Sequence, residues 1–184
     1  MLFPNQTTAR LALRHPVPKD LDHVFKGLSD PAVIEHYGIA YRSKDEARAQ
    51  MDWYEYVWTN EEGLYWVIAD KESGAFLGTV GFFNWMHPNR KAELSFWLLP
   101  AAWGKGYMQE ALAAALRYAF GTMELNRVEA LVEHGNTRAE RLLLQAGFKK
   151  EGTLRECEVK EDADKLISLE MYGLLAREFV PGKV

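Results

Sequence analysis

Short stretches of the chain carry apolar residues at every second position or in continuous runs, and both patterns are typical of β-strands. In the first stretch Leu11 and Leu13 share one face, which predicts an edge strand. In the third, Gly78 and Gly81 are expected to mark β-bulges. The predicted strands are Thr8 to His15, Gly63 to Asp70, Ala75 to Trp85, Ala92 to Leu99, Asn126 to Glu133, Phe148 to Leu154 and Lys165 to Leu174.

Other stretches repeat apolar residues at helical spacing and carry helix-capping signals. Ser43 is followed three residues later by Glu46, which is a capping box, and Asn136 is a second candidate N-cap. Gly147 is expected at the C′ position of the last helix. The predicted helices are Lys19 to Leu28, a brief one after Asp30-Pro31, one from the capping box to about Trp58, Met108 to about Phe120, and Thr137 to Gln145.

The order of these elements predicts a mixed sheet within one domain that spans residues 1–184. The second, third and fourth strands follow one another through turns, so they should form an antiparallel meander. The fourth strand reaches the fifth through a helix, so those two should be parallel. The last two strands are expected to pair, joined by the polar segment Cys157 to Asp164.

Composition narrows the class of protein. The 184 residues are 48% hydrophobic and 26% charged, and the net charge is −4, which argues against a nucleic-acid partner. No apolar run is long enough for a membrane span, and Met1 to Leu13 lacks the pattern of a signal peptide. One cysteine and scattered histidines favour a reducing cytoplasm and no metal site. The oligomeric state, a homodimer included, stays open.

A glycine turn lies between the fourth strand and the following helix. Gly104 and Gly106 let the backbone turn tightly, and the helix that follows presents free N–H groups. That arrangement suits an anion, and a phosphate above all. The turn lacks the Gly-Lys-Ser/Thr of a Walker loop and the third glycine of a dinucleotide fingerprint. Two glycines before a helix are common, so this motif is weak by itself.

The element order and four linked motifs resemble the GNAT superfamily of acyl-coenzyme A-dependent N-acyltransferases, and within it the ribosomal-protein N-terminal acetyltransferase group. The resemblance covers nearly the whole chain. It implies an α+β fold, with a central mixed antiparallel and parallel sheet flanked by helices. The motifs are Asn89 to Trp97, Trp103 to Tyr107 with Glu110-Ala111, Leu125 to Val128, and Asn136 through Ala146-Gly147-Phe148.

The resemblance implies acetyl-coenzyme A as co-substrate, with its pyrophosphate on the backbone of the glycine turn and its pantetheine beside the fourth strand. The Leu98 N–H would polarise the thioester carbonyl. The family pattern Gln/Arg-x-x-Gly-x-Gly/Ala departs here at Ala101, so one polar contact is missing. Lys105 is either solvated or a phosphate partner, and Asn136 is a helix cap, a cofactor contact or both. The predicted cofactor-binding residues are Trp97, Leu98, Leu99, Trp103, Gly104, Lys105, Gly106, Tyr107, Met108 and Asn136.

Glu93 is the predicted general base. An amine must lose a proton to attack a thioester, and a carboxylate within an otherwise apolar strand is costly without a purpose. The alternative is a structural ion pair with Arg90 or Arg127.

The general acid is less clear from the sequence. The tyrosine that many relatives use as the acid is replaced by Leu143. Tyr172 is the predicted substitute, with Ser168, Cys157 or no dedicated acid as alternatives.

The predicted function is therefore acetyl transfer to a primary amine, with a protein N-terminal amino group as the first candidate acceptor. A small-molecule acetyltransferase acting on an antibiotic, polyamine or amino acid is the second candidate. A non-catalytic acyl-coenzyme A-binding module is the third.

Overall fold

The fourth predicted strand, Ala92 to Leu99, lies in the middle of one mixed sheet. The computed structural model describes residues 3–160 and 165–182, and the strands of these residues follow the order β1-β2-β3-β4-β5-β6-β8-β7. Only β5 and β6 pair in parallel there, and every other neighbouring pair is antiparallel. The strands are β1 Gln6–Thr7, β2 Leu11–Arg14, β3 Leu64–Asp70, β4 Phe76–Met86, β5 Lys91–Leu98, β6 Arg127–Glu133, β7 Lys149–Lys160 and β8 Lys165–Leu175.

Helices cover both faces of the sheet, because each face carries its own set of buried apolar side chains. One core joins the sheet to the face of α4 that carries Leu112 and Leu116 and to Leu142 and Leu143 of α5. The other core packs α1 and α3 against the face that carries Trp97. The helices are α1 Leu21–Leu28, α2 Pro31–Ile34, α3 Lys44–Thr59, α4 Tyr107–Gly121 and α5 Thr137–Gln145.

The predicted fold class, the antiparallel meander and the parallel β5–β6 pair are confirmed. The predicted caps are also present. The Ser43 hydroxyl accepts a hydrogen bond from the Glu46 N–H at 3.2 Å, so the N-cap is made. The Glu46 carboxylate accepts from the Arg42 N–H rather than from the Ser43 N–H, so the reciprocal bond of the predicted capping box is displaced by one residue. Gly147 has a φ of +95°, as expected for a C′ glycine. None of the described helices has the length and apolar character needed to cross a membrane.

Three local predictions are wrong. Strand β2 is not an edge, because the two-residue strand β1 pairs with it and is too short to show a pattern. Gly81 pairs in regular register with Tyr65, and the β3–β4 shift lies beside Gly78 instead. The predicted polar connection from Cys157 is strand as far as Lys160, and its exposed side chains hide the strand pattern. The rest of that segment, 161–164, lies outside the described residues.

Candidate active site

The glycine turn after β5 has the conformation that a backbone anion site needs. Gly104 and Gly106 have φ of +71° and +76°, in the left-handed region that favours glycine. Gly106 is the N-cap of α4, and no side chain among the described residues caps that helix end. The first N–H groups of a helix lack partners within it, so those of α4 are left for a ligand or solvent by the part of the chain that the structure describes. The Trp103 N–H is different, because it donates to the Pro100 carbonyl at 3.1 Å.

A clasp between Arg10 and Glu110 holds this turn against the start of the chain. The Glu110 carboxylate accepts hydrogen bonds from the Thr8 hydroxyl at 2.6 Å and from Arg10 Nε at 2.7 Å. Arg10 Nη1 donates to the Lys105 carbonyl at 2.9 Å, and the guanidinium lies 4.7 Å from the centre of the Tyr107 ring. The clasp therefore fixes the backbone on both sides of Gly106.

Strands β5 and β6 separate beside the turn. Their pairing starts at Lys91 and Arg127 and ends at Glu93 and Glu129, although in the described structure β5 continues to Leu98. A cleft of about 850 Å³ extends from the separated strands to the glycine turn and the first turn of α5. The cleft thus joins the open helix end to an unpaired strand edge.

The backbone of β5 presents Leu98 to this cleft. The Leu99 N–H donates to Leu77 of β4 at 2.8 Å, and N–H groups alternate in direction along a strand, so the Leu98 N–H faces the gap. The Leu98 carbonyl accepts a hydrogen bond from Trp103 Nε1 at 2.9 Å. The Trp97 main chain faces β4, where Trp97 pairs with Thr79, and its ring packs against Phe76 in the second core, although the residue is among those that line the cleft.

The structure brings eight of the ten predicted cofactor-binding residues to the wall of the cleft. Leu99 and Lys105 are not among the lining residues, and the Lys105 side chain is exposed, as its solvated alternative predicts. Asn136 is a helix cap, because its Oδ1 accepts a hydrogen bond from the Ala139 N–H at 3.2 Å. The residues that line the cleft are Trp97, Leu98, Trp103, Gly104, Gly106, Tyr107, Met108 and Asn136.

Glu93 lies in a smaller pocket on the other side of the point where β5 and β6 separate. This pocket has a volume of about 400 Å³, and Glu62, Asn84 and Glu129 also line it. Asn84 Nδ2 donates to Glu93 Oε2 at 3.3 Å. Burial raises the pKa of Glu93, and the charges of Glu129 and Glu158 raise it further. A raised pKa is what a carboxylate needs to act as a base near neutral pH.

Glu93 makes no ion pair with the two cations that the structural alternative names. Arg127 binds Glu129 at 2.8 Å and Glu151, and Arg90 Nε donates to the Glu124 carbonyl at 2.9 Å. Both arginines are therefore committed elsewhere.

The structure does not support Tyr172 as the acid. Its side chain is 1% exposed, and it is not among the residues that line either pocket. Its charged neighbours are Glu140, Lys150 and Glu170, on the opposite side of β6 from the gap. Neither Ser168 nor Cys157 is among the residues that line the cleft: the Ser168 hydroxyl accepts a hydrogen bond from the Glu156 N–H, and Cys157 is exposed.

Several residues that line the cleft are not predicted by the sequence pattern. His36 and Tyr37 come from the segment after α2, and Arg138 and Arg141 from α5. The Arg138 guanidinium lies 4.7 Å from the centre of the Trp103 ring. The i, i+3 spacing of the two arginines after a predicted N-cap was a usable signal. The segment after α2 has no periodicity, so only the fold could place its residues.

Similarity to known proteins shows the family of this chain. The chain matches the model of the acetyltransferase (GNAT) domain family over residues 10–149. It is 34% identical over 173 residues to the uncharacterized N-acetyltransferase p20 of Bacillus licheniformis, which covers 94% of this chain and 96% of that protein. It is 32% identical to the ribosomal protein uS5-alanine N-acetyltransferase of Escherichia coli (strain K12) over 94 residues, which is 50% of this chain and 48% of that one.

A solved structure shares the fold over almost its whole length. The spermidine N-acetyltransferase from Vibrio cholerae, in complex with CoA and spermine, superposes with a TM-score of 0.81 at 22% identity. The match covers 93% of this chain and 98% of that chain.

Proposed function

Because this chain belongs to the GNAT acetyltransferase family and is an N-acetyltransferase, we propose that it transfers an acetyl group from acetyl-coenzyme A to a primary amine by direct attack. The single observation that carries the proposal is the position of Glu93. This carboxylate lies without a cationic partner among the described residues, at the last pair of residues that joins β5 to β6. The larger cleft, which we call the donor cleft, opens along the part of β5 beyond that pair.

The cleft fits coenzyme A on its own geometry. A side chain built at Gly104 would meet nothing within 4 Å, so the turn is open to a ligand, and the unpaired N–H groups of α4 suit a pyrophosphate. The edge of β5 between the separated strands suits the pantetheine amides, which would pair as an added strand. Arg138 and Arg141 add positive charge to the cleft wall. When bound, acetyl-coenzyme A supplies the activated acetyl thioester.

The protein contributes a base and an oxyanion donor at the two ends of β5. Glu93 and Leu98 are five residues apart, so their Cα atoms are separated by about 16 Å at 3.3 Å per residue. Glu93 therefore accepts the amine proton through a chain of water molecules rather than by direct contact. The Leu98 N–H donates a hydrogen bond to the carbonyl oxygen as negative charge develops there.

The first candidate acceptor is a protein N-terminal amino group. The similarity to the uS5-alanine N-acetyltransferase supports this class. Trp85 and Met86 line the smaller pocket around Glu93, which we call the acceptor pocket. Met86 is 46% exposed, so the pocket offers an apolar surface to residues that follow the reacting amine.

The second candidate is a small polyamine. Glu62, Glu93 and Glu129 line the same pocket, and only Glu129 is paired there with a lysine, Lys91 at 3.0 Å. Such a pocket favours an acceptor with more than one positive charge. The fold neighbour from Vibrio cholerae is named for spermidine.

The release of coenzyme A tests the proposal and separates the two acceptors. Purified enzyme is incubated with acetyl-coenzyme A and either spermidine or a peptide with a free N-terminal alanine. The same peptide with a blocked N-terminus is the control. We expect thiol release with at least one free amine and none above background with the blocked peptide. Equal release with the blocked peptide would contradict amine acetylation.

A further inference from the structure

Three hydroxyl groups lie next to Glu93 along one face of β5. The Tyr37 hydroxyl is 3.0 Å from Ser95 Oγ, and Ser95 is on the same face of the strand as Glu93. Tyr65 lies beside Ser95, and the charge of nearby Glu93 adds to the burial that raises the pKa of Tyr65. We call Tyr37, Tyr65 and Ser95 the hydroxyl cluster.

The hydroxyl cluster connects the two halves of the site. Tyr37 lines the donor cleft together with Trp97 and Leu98, whereas Glu93 lines the acceptor pocket. Ser95 lies between them on the strand, two residues from Glu93 and three from Leu98. The Tyr37 side chain therefore extends from the wall of the cleft to Ser95, three residues along β5 from Leu98.

The other groups at the cleft that could donate a proton are placed less well. His36 Nδ1 lies 3.7 Å from Glu133, at the far end of β6. Tyr107 lies under the Arg10 guanidinium at the glycine turn. Leu143, where the resemblance expects the acid, is fully buried in the core and has no proton to give.

We propose that Tyr37, oriented by Ser95, is the catalytic acid that protonates the leaving thiolate. This inference rests on the proposed acetyl transfer. The amine nitrogen forms its bond to the acetyl carbon, and the carbon–sulfur bond breaks with its electron pair on sulfur. The Tyr37 hydroxyl gives its proton to that sulfur, while Glu93 holds the proton taken from the amine. The Ser95 hydroxyl then returns a proton to Tyr37, and the proton on Glu93 replaces it through the cluster and water.

Burial keeps the acid in its protonated form. It raises the pKa of Tyr37 above its ordinary value, so the hydroxyl holds its proton throughout the neutral range. A donor of this kind stabilises the sulfur by hydrogen bonding as charge appears there. Its proton is transferred only as the cluster returns one to Tyr37, because a buried tyrosinate is costly.

The first test compares Tyr37→Phe with Tyr54→Phe, each assayed with whichever of spermidine and the alanine peptide the wild type acetylates. Tyr54 is a matched control, because its buried hydroxyl bonds to Thr79 at 3.4 Å and it does not line the cleft. We expect Tyr37→Phe to lower kcat about 100-fold with unchanged coenzyme A affinity, and Tyr54→Phe to keep kcat near the wild-type value. Wild-type kcat in Tyr37→Phe, or a loss of coenzyme A affinity in parallel with kcat, would overturn the acid role.

Ser95 is tested as a positioning residue. Ser95→Ala should lower kcat about tenfold, and Ser95→Thr, which keeps a hydroxyl, should restore it. An equal loss in both variants would indicate packing alone and would overturn the orienting role.

Fluorinated tyrosines at position 37 give a readout that a structural role would not move. At a fixed pH below the pKa of every substituted ring, kcat should follow ring acidity at Tyr37 and show no trend at Tyr54. A flat response at Tyr37 would overturn the proposal even if Tyr37→Phe is slow. Absence of turnover by the wild type with both acceptors would instead overturn the proposed function, and this inference with it.

Discussion

Glu93 and Glu129 are register partners in the last pair of residues that joins β5 to β6. Two carboxylates side by side repel each other, and only one of these two has its charge balanced by nearby cations. Glu129 binds Lys91 at 3.0 Å and Arg127 at 2.8 Å, whereas Glu93 receives a single hydrogen bond from the Asn84 amide. The separation of the strands, which opens the cleft, thus begins at the one carboxylate of the pair that is left without a cation among the described residues.

Replacing Glu129 should move the acid limb of the pH profile. Glu129→Gln removes a negative charge that raises the pKa of Glu93 and frees Lys91, whose charge lowers it. Both changes lower the pKa of Glu93, so the acid limb of kcat/KM should shift to lower pH by up to about one unit. Glu151→Gln is the control, because Glu151 binds Arg127 and does not line the pocket. A shift to higher pH would contradict the assignment of that limb to Glu93.

The charge of Glu93 should cost stability at neutral pH. Because burial raises its pKa in the folded state, the ionised carboxylate destabilises that state above the folded pKa. Below the unfolded pKa of about 4.3 both states hold a neutral carboxyl, so the cost disappears. Glu93→Gln, which keeps an acceptor for Asn84, should raise the Tm by up to about 3 °C at pH 7 and leave it unchanged at pH 4. If Glu93→Gln and the wild type had equal Tm values at pH 7 as well as at pH 4, the ionised carboxylate would not destabilise the folded state.

Alanine substitutions at two glycines with the same backbone conformation distinguish backbone strain from an effect on ligand binding. Gly104 and Gly74 have φ of +71° and +72°, and an added side chain would meet nothing within 4 Å at either position. Alanine should destabilise the fold by about 1–2 kcal/mol at both sites. Only Gly104→Ala should also weaken coenzyme A, by roughly tenfold, because only its backbone lies at the open helix end. Calorimetry with coenzyme A measures this, and equal affinities in the two variants would argue against the glycine turn as the phosphate site.

Apolar periodicity and the capping and turn residues predicted most of the fold, because an element that buries one face repeats apolar residues at the spacing of that face. Leu11 and Leu13 are fully buried as their alternation indicates, and the caps at Ser43 and Asn136 are made. Strand β7 could not be followed to its end because almost every side chain on it is exposed. Domain count, oligomeric state and cytoplasmic location stay predictions.

Site features that depend on local backbone conformation could be predicted from the sequence. Contacts between residues distant in the chain could not. The left-handed conformation of Gly104 and Gly106 follows from local sequence pattern. Tyr37 reaches β5 from a segment 58 residues away from Ser95 in the chain, so no spacing rule could pair them. Tyr172 looked available in the sequence, but burial at 1% exposure removes it from the cleft.

The most direct test of Glu93 as the general base is the pH profile of kcat/KM, measured for the wild type and for Glu93→Gln. Glu72→Gln, on the exposed β3–β4 turn, is the control. We expect Glu93→Gln to bind coenzyme A normally, to lose about 100-fold in kcat/KM, and to lose the acid limb that the wild type and Glu72→Gln share. Wild-type turnover in Glu93→Gln with the acid limb intact would contradict Glu93 as the base.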